Sequence, residues 1–408
     1  MNNRRDFLKS FLLTSAMALT KCGDIENFVP KYNPQICTPK NLRSNKKKRR
    51  IIMNNDGNDC HLYNQFNFRS VDPTKFLNYR TSGILDSQID SYFYCTGIFN
   101  LYQHRSNVSE FWQGIRNTCP IQLVNQGTDT LEVVSTFCKE NNKEIFWSMR
   151  MNDTHDSHDH RLLSRWKLSN LDLLLCPTPK SFPYGDSRWS ALNYEKQEVH
   201  SKVLEIIEDV ISRYELDGIE LDFFRHPIFF YEQLIGKPVE DHQRESMNDL
   251  MKRIHGLLKR YTNKNGNSLL LAVRIPDSLA FSHAIGLDVS HWLCNSWIDI
   301  LIGGGYFQLE PWKNLVTIGK DYDVQVYSCL SASRLGYTHE NWRFHAADAL
   351  SAGVDGVYTF NLFDSQHTLF DEIGSLETLE STQMLNIQNG DHETLRRWLK
   401  NGAAYLNF

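Results

Sequence analysis

The feature that most constrains this chain is a rhythm. Eight short apolar runs recur along it, at Arg50–Asn54, Ser91–Thr96, Glu144–Met149, Leu216–Phe223, Leu269–Arg274, Ile298–Ile302, Val324–Ser328 and Gly356–Asn361. Helical patterns lie between them. Val199, Val203, Ile206, Ile207, Val210, Ile211 and Tyr214 recur at helical spacing after the third run, and Met247, Leu250, Met251, Ile254, Leu257, Leu258 and Tyr261 do so after the fourth. Strands that alternate with helices form parallel sheets, because each crossover must return the chain to the same end of the sheet. Eight such units predict an α/β fold of the (β/α)8 TIM-barrel type, one domain with long βα loops. No GxGxxG or P-loop follows any run, which argues against an open nucleotide-binding sheet. A ninth apolar run, Leu171–Leu175, is read as part of a long insertion over residues 154–195.

The barrel is expected over residues 48–370, and the rest of the 408 residues flank it. Residues 1–22 read as an export signal of twin-arginine type, with Arg4-Arg5-Asp6-Phe7-Leu8-Lys9 ahead of an apolar stretch too short to span a membrane. Cleavage after Ala16-Met17-Ala18 is one exit; the other is lipidation at Cys22, although Lys21 stands where a lipoprotein box wants a small residue. Residues 23–47, with Pro30, Pro34 and Pro39, read as a tether, and residues 371–408 as a C-terminal helical extension packed on the barrel. The expected location is therefore periplasmic or cell-surface, with a membrane contact only through a lipid on Cys22. Forty-four basic against forty-eight acidic residues give a net charge of −4, so bulk attraction for nucleic acid is not expected. None of the nine cysteines forms a CxxC pair, which argues against structural zinc, and those in apolar runs are expected as buried free thiols.

Barrel enzymes place their chemistry at the C-terminal ends of the strands. Polar residues should crowd there, and they do. The first run ends in Asn54-Asn55-Asp56, the third in Arg150-Met151-Asn152-Asp153, the fourth in Asp222-Phe223-Phe224-Arg225-His226 and the fifth in Arg274-Ile275-Pro276-Asp277. In the fourth, period two puts Glu220 and Asp222 on one face and Ile219, Leu221 and Phe223 on the other. Two carboxyls aimed into a lumen repel each other and lose water, so one should keep its proton while the other stays charged. Glycoside hydrolysis uses such a pair. The alternative is a carboxylate–arginine network that only fixes barrel geometry.

The run Asp217-Gly218-Ile219-Glu220-Leu221-Asp222, with Trp147-Ser148-Met149-Arg150-Met151-Asn152-Asp153, resembles the exported bacterial glycosyl-hydrolase-like barrels described as family 10-like. The fourth strand is also similar to the DGxDxDxE strand of chitinases, but Phe224 stands at the position of their catalytic Glu, which argues against that chemistry. Barrels of the α-amylase and α-galactosidase type carry their nucleophile as an Asp ending the fourth strand, which Asp222 matches, and their acid at the end of the fifth or sixth. The resemblance thus implies Asp222 as nucleophile or charge stabiliser and Asp277 as first choice for the acid, with Glu220 and Glu310 open. Asp56, Arg150, Asn152, Asp153, Arg225, His226, Arg274 and Tyr306 are the expected substrate-binding residues, and no cofactor is implied. Three arginines at one mouth point to an acidic or sulfated glycan as partner, since arginine matches carboxylate and sulfate through paired N–H groups.

Three further patterns bear on function. His155, His158 and His160 with Asp153, Asp156 and Asp159 could bind metal, but their spacing is irregular and they are read as lining the mouth. Gly303-Gly304-Gly305 lacks the lysine of a phosphate loop and reads as a tight turn or room for a ligand. Trp147, Trp189, Trp292, Trp297, Tyr306 and Trp312 are each core residues or sugar platforms. Two other readings of the whole chain stay open: a glycan-binding barrel without turnover, and a metal-dependent hydrolase.

Overall fold

The computed structural model describes residues 32–34, 37, 47–59, 71–112, 119–176, 188–234, 237, 239–379, 395, 398–399 and 401–406. The expected signal, its cleavage site, Cys22, Cys60 and most of the tether lie outside the described residues.

Eight strands close into a barrel. They are β1 Ile51–Asn55, β2 Ile89–Cys95, β3 Glu144–Arg150, β4 Gly218–Asp222, β5 Leu270–Ile275, β6 Ile300–Gly303, β7 Gln325–Ser331 and β8 Gly356–Phe360. Each pairs in parallel with its sequence neighbours, and β1 pairs with β8 to close the ring. The described helices that follow the first seven strands include α1 Pro73–Arg80, α2 Thr130–Glu140, α3 Gln197–Arg213, α4 Asp241–Leu258, α5 Val289–Cys294, α6 Trp312–Asp321 and α7 His339–Ala352. All eight apolar runs are strands, offset by three residues at most. They read as near-continuous apolar runs because helices cover one face and the lumen the other.

Alternation sorts the two faces. Ile219, Leu221 and Phe223 pack outward into the helix layer, while Ile52, Phe93, Phe146, Ala272, Ile302, Tyr327, Tyr358 and Phe360 fill the lumen. The N-terminal end is closed by an ion pair between Arg49 and Glu144, Nε to Oε2 at 2.5 Å, with Gln325 on the same guanidinium at 2.9 Å. Asp217 and Asp299 accept the backbone N–H of Ile145 and Leu271 at 3.0 and 2.8 Å. The few carboxylates at strand starts thus serve stability, as expected of that face.

The loops at the other end are long. After β2 a small sheet forms from Gly97–Ile98, Leu101–Tyr102 and Glu110–Phe111. Leu171–Leu173 is a 3-10 turn rather than a ninth strand, tied by a single bridge between Leu174 and Leu192. The C-terminal extension contributes Leu395, Trp398, Leu399 and Tyr405 to the core, with a 3-10 turn at Gly402–Tyr405. Cys95 and Cys329, in the apolar runs, are buried free thiols as expected, and two cysteines outside those runs are paired. Cys37 and Cys294 form a disulfide that ties the tether to α5, while Cys95, Cys119, Cys138, Cys176 and Cys329 are free and buried. Cys37 lies in a proline-rich stretch and Cys294 at a helix end, so neither could show from apolar pattern that they meet.

Candidate active site

Register builds the site. Arg150, Asp222 and Arg274 are neighbours across β3, β4 and β5, and Ser148, Glu220 and Ala272 form the next level down. Asp222, at the C-terminal end of β4, is 1% exposed. Its Oδ2 accepts from Arg274 Nη2 at 2.6 Å, and its Oδ1 accepts the backbone N–H groups of Phe224 and Arg225, each at 2.9 Å. Every partner is a donor, as a carboxylate requires. Arg274 is itself fully buried and lies over the Phe360 ring at 4.0 Å. It therefore holds Asp222, while its Nε has no hydrogen-bond partner.

Glu220 faces the lumen below Asp222. It has no exposed surface and neither carboxyl oxygen makes a hydrogen bond of ordinary geometry. Burial and then the Asp222 charge push its pKa up to about 7, against the opposing pull of Arg274 and the Ser148 and Tyr358 hydroxyls. The level beneath the mouth thus holds a carboxyl that keeps its proton near neutrality beside one surrounded by donors.

Asp277 is placed differently. Its Oδ2 accepts from Leu309 and Glu310 N–H at 2.8 and 2.9 Å, and its Oδ1 accepts from Leu309 at 3.0 Å. Among the described residues no hydrogen bond or ion pair joins it to Asp222 or Glu220; it pins the loop that leads into α6. Burial nonetheless lifts its pKa to about 7, with those backbone donors opposing. Glu310 is turned onto Asn314, 2.8 Å away. Asn152 braces loops: it accepts from Leu192 N at 2.9 Å and donates to the Ile228 carbonyl.

The mouth is rimmed by the remaining residues. Arg150 lies between Asp153 at 2.8 Å and Asp56 at 3.5 Å. Asp153 is fully buried; burial opposes its charge, but His155 and Arg150 beside it outweigh that and hold its carboxyl well below the usual range. His155 Nδ1 sits 2.6 Å from Asp153 Oδ1, and its Nε2 accepts from Arg225 Nη2 at 3.0 Å. His226 accepts the Thr154 N–H on Nδ1 at 2.9 Å, and burial drives its pKa well down. Arg225 also donates to the Tyr306 hydroxyl. Tyr306 packs edge-on against Phe224 and Phe360. Gly305, at φ 147°, leaves room here: a Cβ would lie 3.0 Å from Arg274 Nη1. Trp398 of the C-terminal extension lies 5.8 Å from His226, ring to ring, and takes Arg188 over its face at 4.2 Å. Nothing in the sequence pointed to Trp398, because its neighbours in space are some 170 to 210 residues away.

The histidine tract divides. Asp156 pairs with Lys167 at 2.6 Å and Asp159 with Arg161 at 2.5 Å. Asp153 and His155 instead join His226, with one ligand atom from each within 4.8 Å of the others. Arg150 pairs with Asp153, Arg225 donates to His155 and the Thr154 N–H to His226, and two guanidiniums beside the group work against a cation. Of the tryptophans, Trp147, Trp189, Trp292 and Trp312 are buried core residues.

No family model and no curated protein matches the chain. Among solved structures it is similar to the PgaB (BpsB) glycoside hydrolase domain from Bordetella bronchiseptica, with TM-score 0.54 and 11% identity over 81% of this chain and 99% of that one. It is also similar to alpha-L-fucosidase isoenzyme 2 from Paenibacillus thiaminolyticus, with TM-score 0.50 and 12% identity over 80% of this chain and 48% of that one. At these identities the similarity establishes the barrel fold.

Proposed function

We propose that this chain is an exported glycoside hydrolase that works through two carboxyl groups. The observation that carries the reading is Asp222. It ends the fourth strand of the barrel, where catalytic groups of such barrels gather, and every hydrogen bond it makes stabilises negative charge. In the reaction Asp222 attacks the anomeric carbon or stabilises the oxocarbenium ion formed there. The leaving oxygen takes a proton from a neutral carboxyl, and water completes hydrolysis. Glu220 and Asp277 both hold a proton to about pH 7. Glu220 shares the lumen face with Asp222, whereas Asp277 is turned onto the α6 loop, so we assign the proton to Glu220. The Cys37–Cys294 disulfide supports export, since such bonds persist in oxidising compartments.

Burial favours one other reading, a glycan-binding barrel without turnover, because Asp222, Glu220 and Asp277 are 1%, 0% and 2% exposed. A reducing-end assay over neutral and anionic polysaccharides separates the two. A hydrolase releases ends from at least one polymer and its Asp222→Asn form releases none while still binding; release from no polymer refutes the hydrolase.

A further inference from the structure

The three arginines at the mouth are not equivalent. Arg274 is neutralised by Asp222 at 2.6 Å, and Arg150 by Asp153 at 2.8 Å and Asp56 at 3.5 Å. Arg225 has no such partner: among the described residues no carboxylate forms an ion pair with it. Its Nη1 donates to the Tyr306 hydroxyl and its Nη2 lies 3.0 Å from His155 Nε2, neither of them a carboxylate. Its Nε is buried and has no hydrogen-bond partner. The guanidinium lies 5.6 and 5.9 Å from the Tyr306 and Phe360 ring centres. A half-buried cation with no carboxylate beside it is costly unless something pairs with it. Consistent with that cost, burial and then the Arg150 charge lower the pKa of Arg225 to about 10, against the pull of Asp153, Asp56 and Asp222.

We propose that Arg225 is the anion-binding group of the substrate site and takes a carboxylate or sulfate carried by an acidic sugar. The bare Nε–H and a neighbouring Nη–H form the side-on fork that matches two oxygens of such a group. The Tyr306 hydroxyl, which now accepts from Arg225, can turn its proton to the same anion. Tyr306 and Phe360 flank the fork with aromatic surface. Arg150 and Arg274 add field, but the charge of each is already matched by its own carboxylate.

This rests on the mouth being a carbohydrate site, and calorimetric binding tests it without needing turnover. The probes are trimers of galacturonate, mannuronate and guluronate, a hyaluronan tetrasaccharide and a chondroitin sulfate tetrasaccharide. Each is titrated into the full chain beside its methyl-esterified form, and the last also beside its desulfated form. The expected result is that at least one acidic probe binds and that removing its charge weakens binding tenfold or more. Arg225→Gln then loses at least tenfold for that probe, and Arg225→Lys retains part of the affinity. Dependence on the ester identifies a carboxylate as the anion, and dependence on desulfation identifies a sulfate. The proposal is overturned if no acidic probe binds, if charged and neutral forms bind alike, or if Arg225→Gln binds as the parent does. Should Arg225→Gln fail to fold, the ester and desulfation comparisons on the parent chain still decide. Charge-dependent binding with no release of reducing ends sinks the hydrolase and keeps this inference; hydrolysis of neutral polymers with no acidic binding does the reverse.

Discussion

Replacing Glu220 by Gln should change how stability depends on pH. The folded chain holds the Glu220 proton up to about pH 7, whereas an unfolded chain releases it near its ordinary value of 4.5. Between these values the folded state binds more protons than the unfolded one. Stability therefore falls as pH rises through that window and levels off above it. Raising the pKa from 4.5 to about 7 corresponds to a loss of about 3 kcal/mol. This cost is the mutual burial of Glu220 and Asp222, and a neutral amide of the same shape does not incur it. Glu220→Gln should thus gain about 3 kcal/mol on the parent chain between pH 4.5 and 7, with the difference constant above. Urea unfolding of both chains at fixed pH steps from 4.5 to 8.5 measures it. Parallel pH profiles for the two chains would refute the assignment of a buried, proton-holding Glu220.

Three other substitutions probe the frame around the site. Arg274→Met strips Asp222 of its buried cation and should cost about 3–5 kcal/mol in urea unfolding, as removing one member of a buried pair does; a near-neutral effect would mean that the two backbone N–H groups suffice. Asp277→Asn leaves one oxygen to serve Leu309 and Glu310, so limited proteolysis should find new cleavage between residues 304 and 311 while turnover of aryl glycosides persists; loss of turnover with an intact loop would make Asp277 the acid. Cys294→Ser opens a disulfide spanning 257 residues of sequence and should cost about 2–5 kcal/mol under oxidising conditions, and nothing once the parent is reduced.

The barrel was legible because both faces of its strands are buried, so apolar runs marked them directly. β2 starts at Ile89, ahead of the apolar run, because Asp90 interrupts the pattern while pairing with Arg50 at 2.7 Å. Period two placed Glu220 and Asp222 on one face, since that follows from strand geometry alone. What the sequence withheld was pairing. Which arginine neutralises which carboxylate depends on the register between β4 and β5, and that turned Arg274 into a partner of Asp222 and left Arg225 unmatched. His226 meets Asp153 and His155 across some 70 residues, and Trp398 reaches the mouth from the far end of the chain. Asp277 ends its strand as an acid should, yet its oxygens face a loop whose path no local pattern encodes.

In the proposed reaction Asp222 acts as a charged group and Glu220 supplies the proton. Aryl glycosides of the sugar identified in the polysaccharide assay, made with a poor and a good leaving group, test both roles in one kinetic series. Asp222→Asn should lose turnover by orders of magnitude on both substrates. Glu220→Gln should lose it on the poor leaving group and recover much of it on the good one, because a stable phenolate departs without a proton. Turnover by Asp222→Asn equal to that of the parent would rule out Asp222 as the charged group of the reaction.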